Sequence, residues 1–130
     1  MIGYATVGTN DIDRARDYYD ALFGSIGAQR IWQFPENGFT MWGTSPGRPG
    51  LAVTLPYDGG TASPGNGAMV GLVVESREQV DAFHAKALAL GGTCEGKPGL
   101  RTAEGDEAFY GAYFRDPDSN KFCVFRIGSA

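Results

Sequence analysis

The chain carries one histidine, His84, and two cysteines, Cys94 and Cys123, so its catalytic vocabulary is narrow. A single histidine excludes every site built on two, including helical His-Glu-x-x-His zinc centres and the two-histidine facial triad. His84 directly follows Phe83 at the edge of an apolar helical stripe, which is the place of a surface or boundary histidine. Gly43-Thr44-Ser45-Pro46-Gly47 has the spacing of a nucleophile elbow, a motif that needs a strand before the serine and a helix after it. Pro46, Gly47, Pro49 and Gly50 forbid that helix and leave a connecting loop. Glu104, Asp106 and Glu107 are oxygen ligands close in sequence, but their spacing is not that of an EF-hand and they read as a solvated acidic loop. Gly65-Asn66-Gly67 precedes a strand rather than a helix, so it reads as a turn and not a phosphate cradle.

Composition removes whole classes of partner. With 130 residues, 42% of them hydrophobic and 20% charged, the chain is long enough for one domain and too apolar for disorder. Its formal net charge is −4, and its basic residues are scattered among acidic ones. No basic stripe is available for nucleic acid or an anionic membrane surface. No apolar run approaches a membrane span, and the start MIGYATVGTND lacks the parts of a signal peptide, so the expectation is a soluble cytoplasmic protein. In that compartment Cys94 and Cys123 are expected to be free thiols. The 20 glycines follow no collagen period and mark turns and close backbone approaches.

The elements that position these residues emerge when the chain is slid against itself by 65 residues. Tyr4 then falls on Met69, Ala5 on Val70, Val7 on Leu72, Ala15 on Val80, Tyr18 on Phe83, Phe23 on Leu88 and Gly27 on Gly92. Each copy opens with a short apolar strand, over 2–8 and 68–74, and continues as a helix. In the first helix Asn10 or Asp11 can cap, and Ile12, Ala15, Tyr18, Tyr19, Leu22 and Ile26 form the apolar stripe. In the second, Ser76 and Gln79 form a capping box, and Val80, Phe83, Ala87 and Leu90 form the stripe. Both helices end at glycine, Gly24/Gly27 and Gly91/Gly92. Three strand-like runs follow each helix, 28–34, 38–43 and 51–55 in one copy and about 93–96, 109–115 and 121–127 in the other. The order is βαβββ twice, with module one about 1–56, a Gly/Ser/Pro-rich linker 57–67 and module two about 68–130.

Paired βαβββ modules, an Asn-Asp helix start followed by Tyr18-Tyr19, and a DPDSNK hairpin at 116–121 resemble the vicinal oxygen chelate superfamily. That superfamily contains glyoxalase I, bleomycin- and fosfomycin-resistance proteins and extradiol dioxygenases. The resemblance covers essentially the whole chain, and VDAFHAKALALGG and YGAYFRDPDSNKF are similar to its glyoxalase-like bacterial branch. It implies a single α+β domain in which two tandem modules form cupped mixed sheets around one pocket, with the helices outside. It also implies four metal-facing positions, one each on strands one, four, five and eight, which in metal-dependent members hold His, Glu or Gln. Carried onto this chain, the positions are Tyr4, Val53, Met69 and Cys123, the fourth-strand position by a repeat offset of 70. None is a histidine or carboxylate, so no metal and no cofactor is expected. Ser119 stands where the family hairpin usually has glycine.

A cleft lined this way is apolar with a few polar tips, the ordinary composition of a small-molecule site. Strand alternation puts Tyr4 and Thr6 on one concave face and Cys123 and Phe125 on the other. The expected ligand-binding residues are Tyr4, Thr6, Val53, Met69, Cys123, Phe125, Arg101 and Tyr113. Tyr4 is the candidate acid/base, and Cys123 the candidate nucleophile if Lys121 or Arg101 lowers its pKa. Three functions fit these residues. The first is a metal-free protein that binds a small organic molecule, similar to the bleomycin-resistance branch. The second is a glyoxalase- or lyase-type enzyme with a non-standard metal site. The third is a non-catalytic interaction module whose cup is filled by its own side chains. The partners implied are a small-molecule ligand and, from the resemblance, a second copy in a homodimer; nucleic acid and membrane are not among them.

Overall fold

The computed structural model describes residues 1–36 and 38–130. Its element order is β1 (Tyr4–Gly8), α1 (Ile12–Gly24), β2 (Gln29–Gln33), β3 (Thr40–Gly43) and β4 (Gly50–Thr54), then β5 (Val70–Val73), α2 (Arg77–Ala89), β6 (Thr93–Leu100), β7 (Phe109–Arg115) and β8 (Lys121–Ile127). The chain divides into two compact units, Met1–Asn66 and Gly67–Ala130. Each unit is one βαβββ module.

The two helices begin and end by the same devices. The Asp11 carboxylate accepts from the Arg14 N–H at the start of α1, and the Ser76 hydroxyl accepts from the Gln79 N–H at the start of α2. Gln79 reaches back one residue beyond the cap, accepting from the Glu75 N–H at 2.7 Å. Asn10 is not the cap; its amide holds Ala62 by both ends, accepting from its N–H and donating to its carbonyl. At the far ends Gly27 and Gly91 take positive φ, which glycine adopts without strain. The residue after each glycine then donates back across the last turn, Ala28 to the Phe23 carbonyl and Gly92 to the Ala87 carbonyl.

Each sheet repeats the same strand order, β1-β4-β3-β2 in the first unit and β5-β8-β7-β6 in the second. The β1·β4 and β5·β8 pairs are parallel and the rest antiparallel, so both sheets are mixed. In the first unit Tyr19 and Phe23 of α1 pack on Trp42 with ring centroids 5.4 and 6.0 Å away. In the second, Phe83 of α2 meets Phe114, which stacks on Phe122 at 5.3 Å. Each helix therefore covers one face of its sheet and leaves the other open. Cys94 and Cys123 are both free thiols.

The hairpin before β8 is built around Asp116. One carboxylate oxygen accepts from the N–H groups of Asp118 and Asn120, and the other accepts from the Asn120 amide. Ser119 holds φ 71° there, the left-handed conformation that glycine takes more cheaply. Gly43–Gly47 runs from β3 into a loop with no helix, as the prolines require.

Candidate functional site

In the first unit, alternation and register decide which side chains reach the open face. Trp42 and Thr40 face α1, because Trp42 packs on its rings and Thr40 Oγ1 accepts from Arg16 Nε at 2.9 Å. Val53 pairs with Thr40 and Val7, so it faces the helix as well, and it is fully buried. The expectation that Val53 lines the open face is thereby corrected. The residue that does so is Ala52, which pairs with Thr6 and Met41. The repeat explains the error. Cys123 pairs with Gly71, two residues beyond Met69, and Ala52 pairs with Thr6, two residues beyond Tyr4. Cys123 thus corresponds to the residue 71 positions before it, not 70.

Among the described residues, those that the sheet turns to the open face of the first unit are largely aromatic, and none of its strand residues there is charged. Tyr4, 51% exposed, meets Phe39 edge-on at 5.8 Å, and Phe39 lies 5.7 Å from Phe34. Thr6 is exposed beside Tyr4 on the same face. Gly50 leaves room for Met41, whose sulfur would lie 3.1 Å from a Cβ there.

The second unit brings together most of the residues expected of it. Tyr113 pairs with Cys123 across β7 and β8 on the open face, opposite in direction to Phe114 and Phe122. Phe125 lies on that face too and stacks on Phe109 at 4.9 Å, with Gly71 leaving space for its ring. Met69 and Val73 are exposed, Val73 by 69%. Arg101 lies over the Tyr113 ring at 5.3 Å, and the Lys121 ammonium is 5.7 Å from the same centroid.

Cys123 faces the open side yet is 2% exposed. Burial pushes its thiol up, and the Tyr113 hydrogen bond and the charges of Arg101 and Lys121 offset this only in part. The thiol therefore stays protonated at neutral pH, the opposite of what a nucleophile needs. Arg101 and Lys121 are the expected neighbouring cations, but desolvation outweighs them.

His84 also differs from expectation. It is buried, and its Nε2 bonds the Tyr113 carbonyl at 3.2 Å, so it ties α2 to the backbone of β7. Burial lowers its pKa against the pull of that carbonyl and of Asp81. The acidic loop is partly engaged rather than simply solvated: Glu104 takes both terminal nitrogens of Arg77 at 2.9 and 2.6 Å. Arg77 in turn lies over Tyr110 at 5.2 Å and donates to the Gly128 carbonyl. Ala52, Met41, Phe109 and Gly71 escaped the sequence reading. Strict alternation along the fifth strand from Met69 reaches Gly71, whereas Ala52 and Met41 need the strand pairing.

The chain matches the family model of the Glyoxalase/Bleomycin resistance protein/Dioxygenase superfamily over residues 1–124. Among solved structures it is similar to a glyoxalase/bleomycin resistance protein from Albidiferax ferrireducens T118, with 38% identity and a TM-score of 0.83 over 97% of this chain and 98% of that one. A glyoxalase/bleomycin resistance protein/dioxygenase family enzyme from Burkholderia phytofirmans PsJN has 23% identity and a TM-score of 0.70, covering 96% and 97% of the two chains. A lactoylglutathione lyase from Agrobacterium tumefaciens shares the fold at 18% identity and a TM-score of 0.65, covering 97% and 92%. Among curated proteins no relative matches the chain. The protein belongs to the glyoxalase/bleomycin resistance/dioxygenase superfamily, and its α+β fold of two βαβββ modules is that of the family.

The divalent metal that the family fold implies does not suit the donors at the corresponding positions. A methyl at Ala52, a thioether at Met69, a phenol at Tyr4 and a thiol held protonated at Cys123 supply neither imidazole nor carboxylate. Among the described residues no three His, Cys, Asp or Glu side chains are grouped to hold an ion. Among them, too, no helix is long and apolar enough to cross a membrane.

Proposed function

We propose that the protein binds a small organic molecule on an open sheet face and does so without a divalent metal at the family positions. The observation that supports this most is the replacement of ligand-type residues by Tyr4, Ala52, Met69 and Cys123 on faces that keep exposed aromatic and apolar side chains. Tyr4 and Thr6 offer hydroxyls on one face; Tyr113, Phe125 and Met69 offer shape and apolar area on the other. A protonated, buried Cys123 serves as floor rather than nucleophile. Pairing with a second copy is part of this reading, because each sheet ends in edge strands that another chain can cover.

Native mass spectrometry of protein purified from cells without a chelator tests all of this at once. A retained organic mass on a dimer, with no metal, is the expected result. A stoichiometric transition metal overturns the metal-free reading and favours a glyoxalase- or lyase-type enzyme. A monomer or dimer that carries no ligand, and binds none in a screen of aromatic and alkyl compounds, favours an interaction module instead. Tyr4→Phe should weaken binding of the retained ligand several-fold; unchanged affinity removes the phenol from the site.

A further inference from the structure

We propose that the open face of the second unit binds the oxyanion of a small organic acid, with Arg101 and Lys121 holding the charged head over Tyr113 and Phe125 receiving an apolar, flat body. This rests on the reading that an open sheet face takes a small molecule, and it names the class of molecule.

The cation pair is positioned by the fold. The Arg101 N–H donates to the Phe109 carbonyl at 2.8 Å, which fixes its backbone to β7. Its Nη2 donates to the Lys97 carbonyl at 2.6 Å. The guanidinium lies across β6 where the strand has no side chains: a Cβ at Gly96 would sit 3.4 Å from Nη2, and one at Gly99 would sit 3.2 Å from Nη1. A Gly96 Cβ would also come within 2.9 Å of the Tyr113 ring. Two glycines, one carbonyl and one aromatic face thus hold Arg101 in place before any ligand arrives, so little conformational freedom is left to lose on binding.

The charges are available. Arg30, Arg77 and Arg115 are matched to Asp20, Glu104 and Glu95. Among the described residues neither Arg101 nor Lys121 is in an ion pair. Glu95, whose carboxylate feels Lys121, is engaged by Arg115. The whole chain is at −4, which repels anions, so two cations beside one tyrosine ring make a local exception that selects for them. Cys123 beneath is neutral and adds no repulsion.

The apolar part follows from the strand. Lys121, Cys123 and Phe125 are successive residues of β8 on one face, and four residues of strand span about 13 Å. That distance accommodates a head group on the cations and one or two fused rings against Phe125, Phe109 and the exposed Val73. Arg101 supplies the planar fork that suits a carboxylate or a phosphate.

The test uses the full chain and three probes that share one ring system: 2-naphthoate, 2-naphthyl phosphate and 2-naphthamide, titrated at neutral pH by calorimetry and by shifts of the Tyr113 ring resonances. At least one oxyanion should bind about tenfold more tightly than the amide. Arg101→Gln and Lys121→Gln should each weaken that oxyanion about tenfold and leave the amide within twofold. Whichever oxyanion binds more tightly identifies the head group. Equal affinity for all three probes, or variants that bind the oxyanions like the parent, overturns the inference and leaves the small-molecule reading standing. If no probe binds and native mass spectrometry shows a neutral retained ligand, the oxyanion is again wrong and the site is right. If no probe binds and no ligand is retained, both fail.

Discussion

The two units share one frame and differ in what stands on its open face. In the first, the polar network lies between sheet and helix: Asp20 of α1 accepts from both the Arg30 guanidinium and the Trp42 indole, and Arg16 donates to Thr40. Its open face is left to neutral rings. In the second, α2 packs on phenylalanines, with Arg77 held by Glu104 and Asp81 accepting from Tyr110, and two cations stand in addition on the open face over Tyr113. A repeated fold thus fixes where side chains point and leaves free which of them carry charge. The open face of the second unit gains a recognition element that its counterpart lacks.

The largest test of this contrast concerns the two cores. Trp42→Ala removes the ring that α1 packs on and the indole donor to Asp20, and should cost near the top of about 3–5 kcal/mol in urea unfolding. Phe114→Ala removes rings only and should fall toward the lower end of about 3–5 kcal/mol. The reverse order would mean that the Asp20 network adds nothing to the first core. Gly96→Val should cost about 1–3 kcal/mol, because the new side chain meets the Tyr113 ring and displaces Arg101. Should Gly96→Val unfold at the parent's denaturant midpoint, the packing of Arg101 over β6 is not tight.

His84 gives the second unit a pH dependence just below neutral, where the first unit has no histidine. Its pKa is lowered in the folded state from an ordinary value of 6.5, so the unfolded chain takes up the proton first. Stability contributed by the neutral ring is present above pH 6.5 and is lost as pH falls through the folded value. Denaturant midpoints measured from neutral to mildly acidic pH should therefore decline, and His84→Gln should flatten that decline. A slope unchanged by the substitution would assign it to carboxylates instead. The smallest effects belong to two turns. Gly24→Ala, in open space at the end of α1, should stabilise by about 0.5–1 kcal/mol. Ser119→Gly should gain up to about 1 kcal/mol by relieving a positive φ, less the entropy that glycine adds to the unfolded chain. Differential scanning calorimetry resolves both.

Much of the frame was legible because its signals are local. Asp11 and Ser76 cap as their types suggest, Gly27 and Gly91 end the helices, and 109–115 and 121–127 are strands to the residue. The face of β4 was not legible, because an offset wrong by one residue reverses every side chain in a strand. Only pairing of Thr6 with Ala52 settles it. The burial of His84 was not legible for a different reason: its ring is polar by type, and only the Tyr113 carbonyl across the helix–sheet layer makes its burial cheap. The place of Arg101 was invisible too, since it depends on missing side chains at Gly96 and Gly99.

The drift in repeat offset, from 65 at Tyr4 and Met69 to 71 at Ala52 and Cys123, carries a historical meaning. If one ancestral module was doubled, the two copies have since come to differ in length, and most of the difference lies between the starts of β6 and β7, where β2 and β3 are closer together. That stretch holds Gly96, Gly99, Arg101 and Glu104. The shared scaffold stayed intact while the difference in length fell in one hairpin, so divergence between the twins is concentrated where it disturbs neither helix nor parallel strand pair.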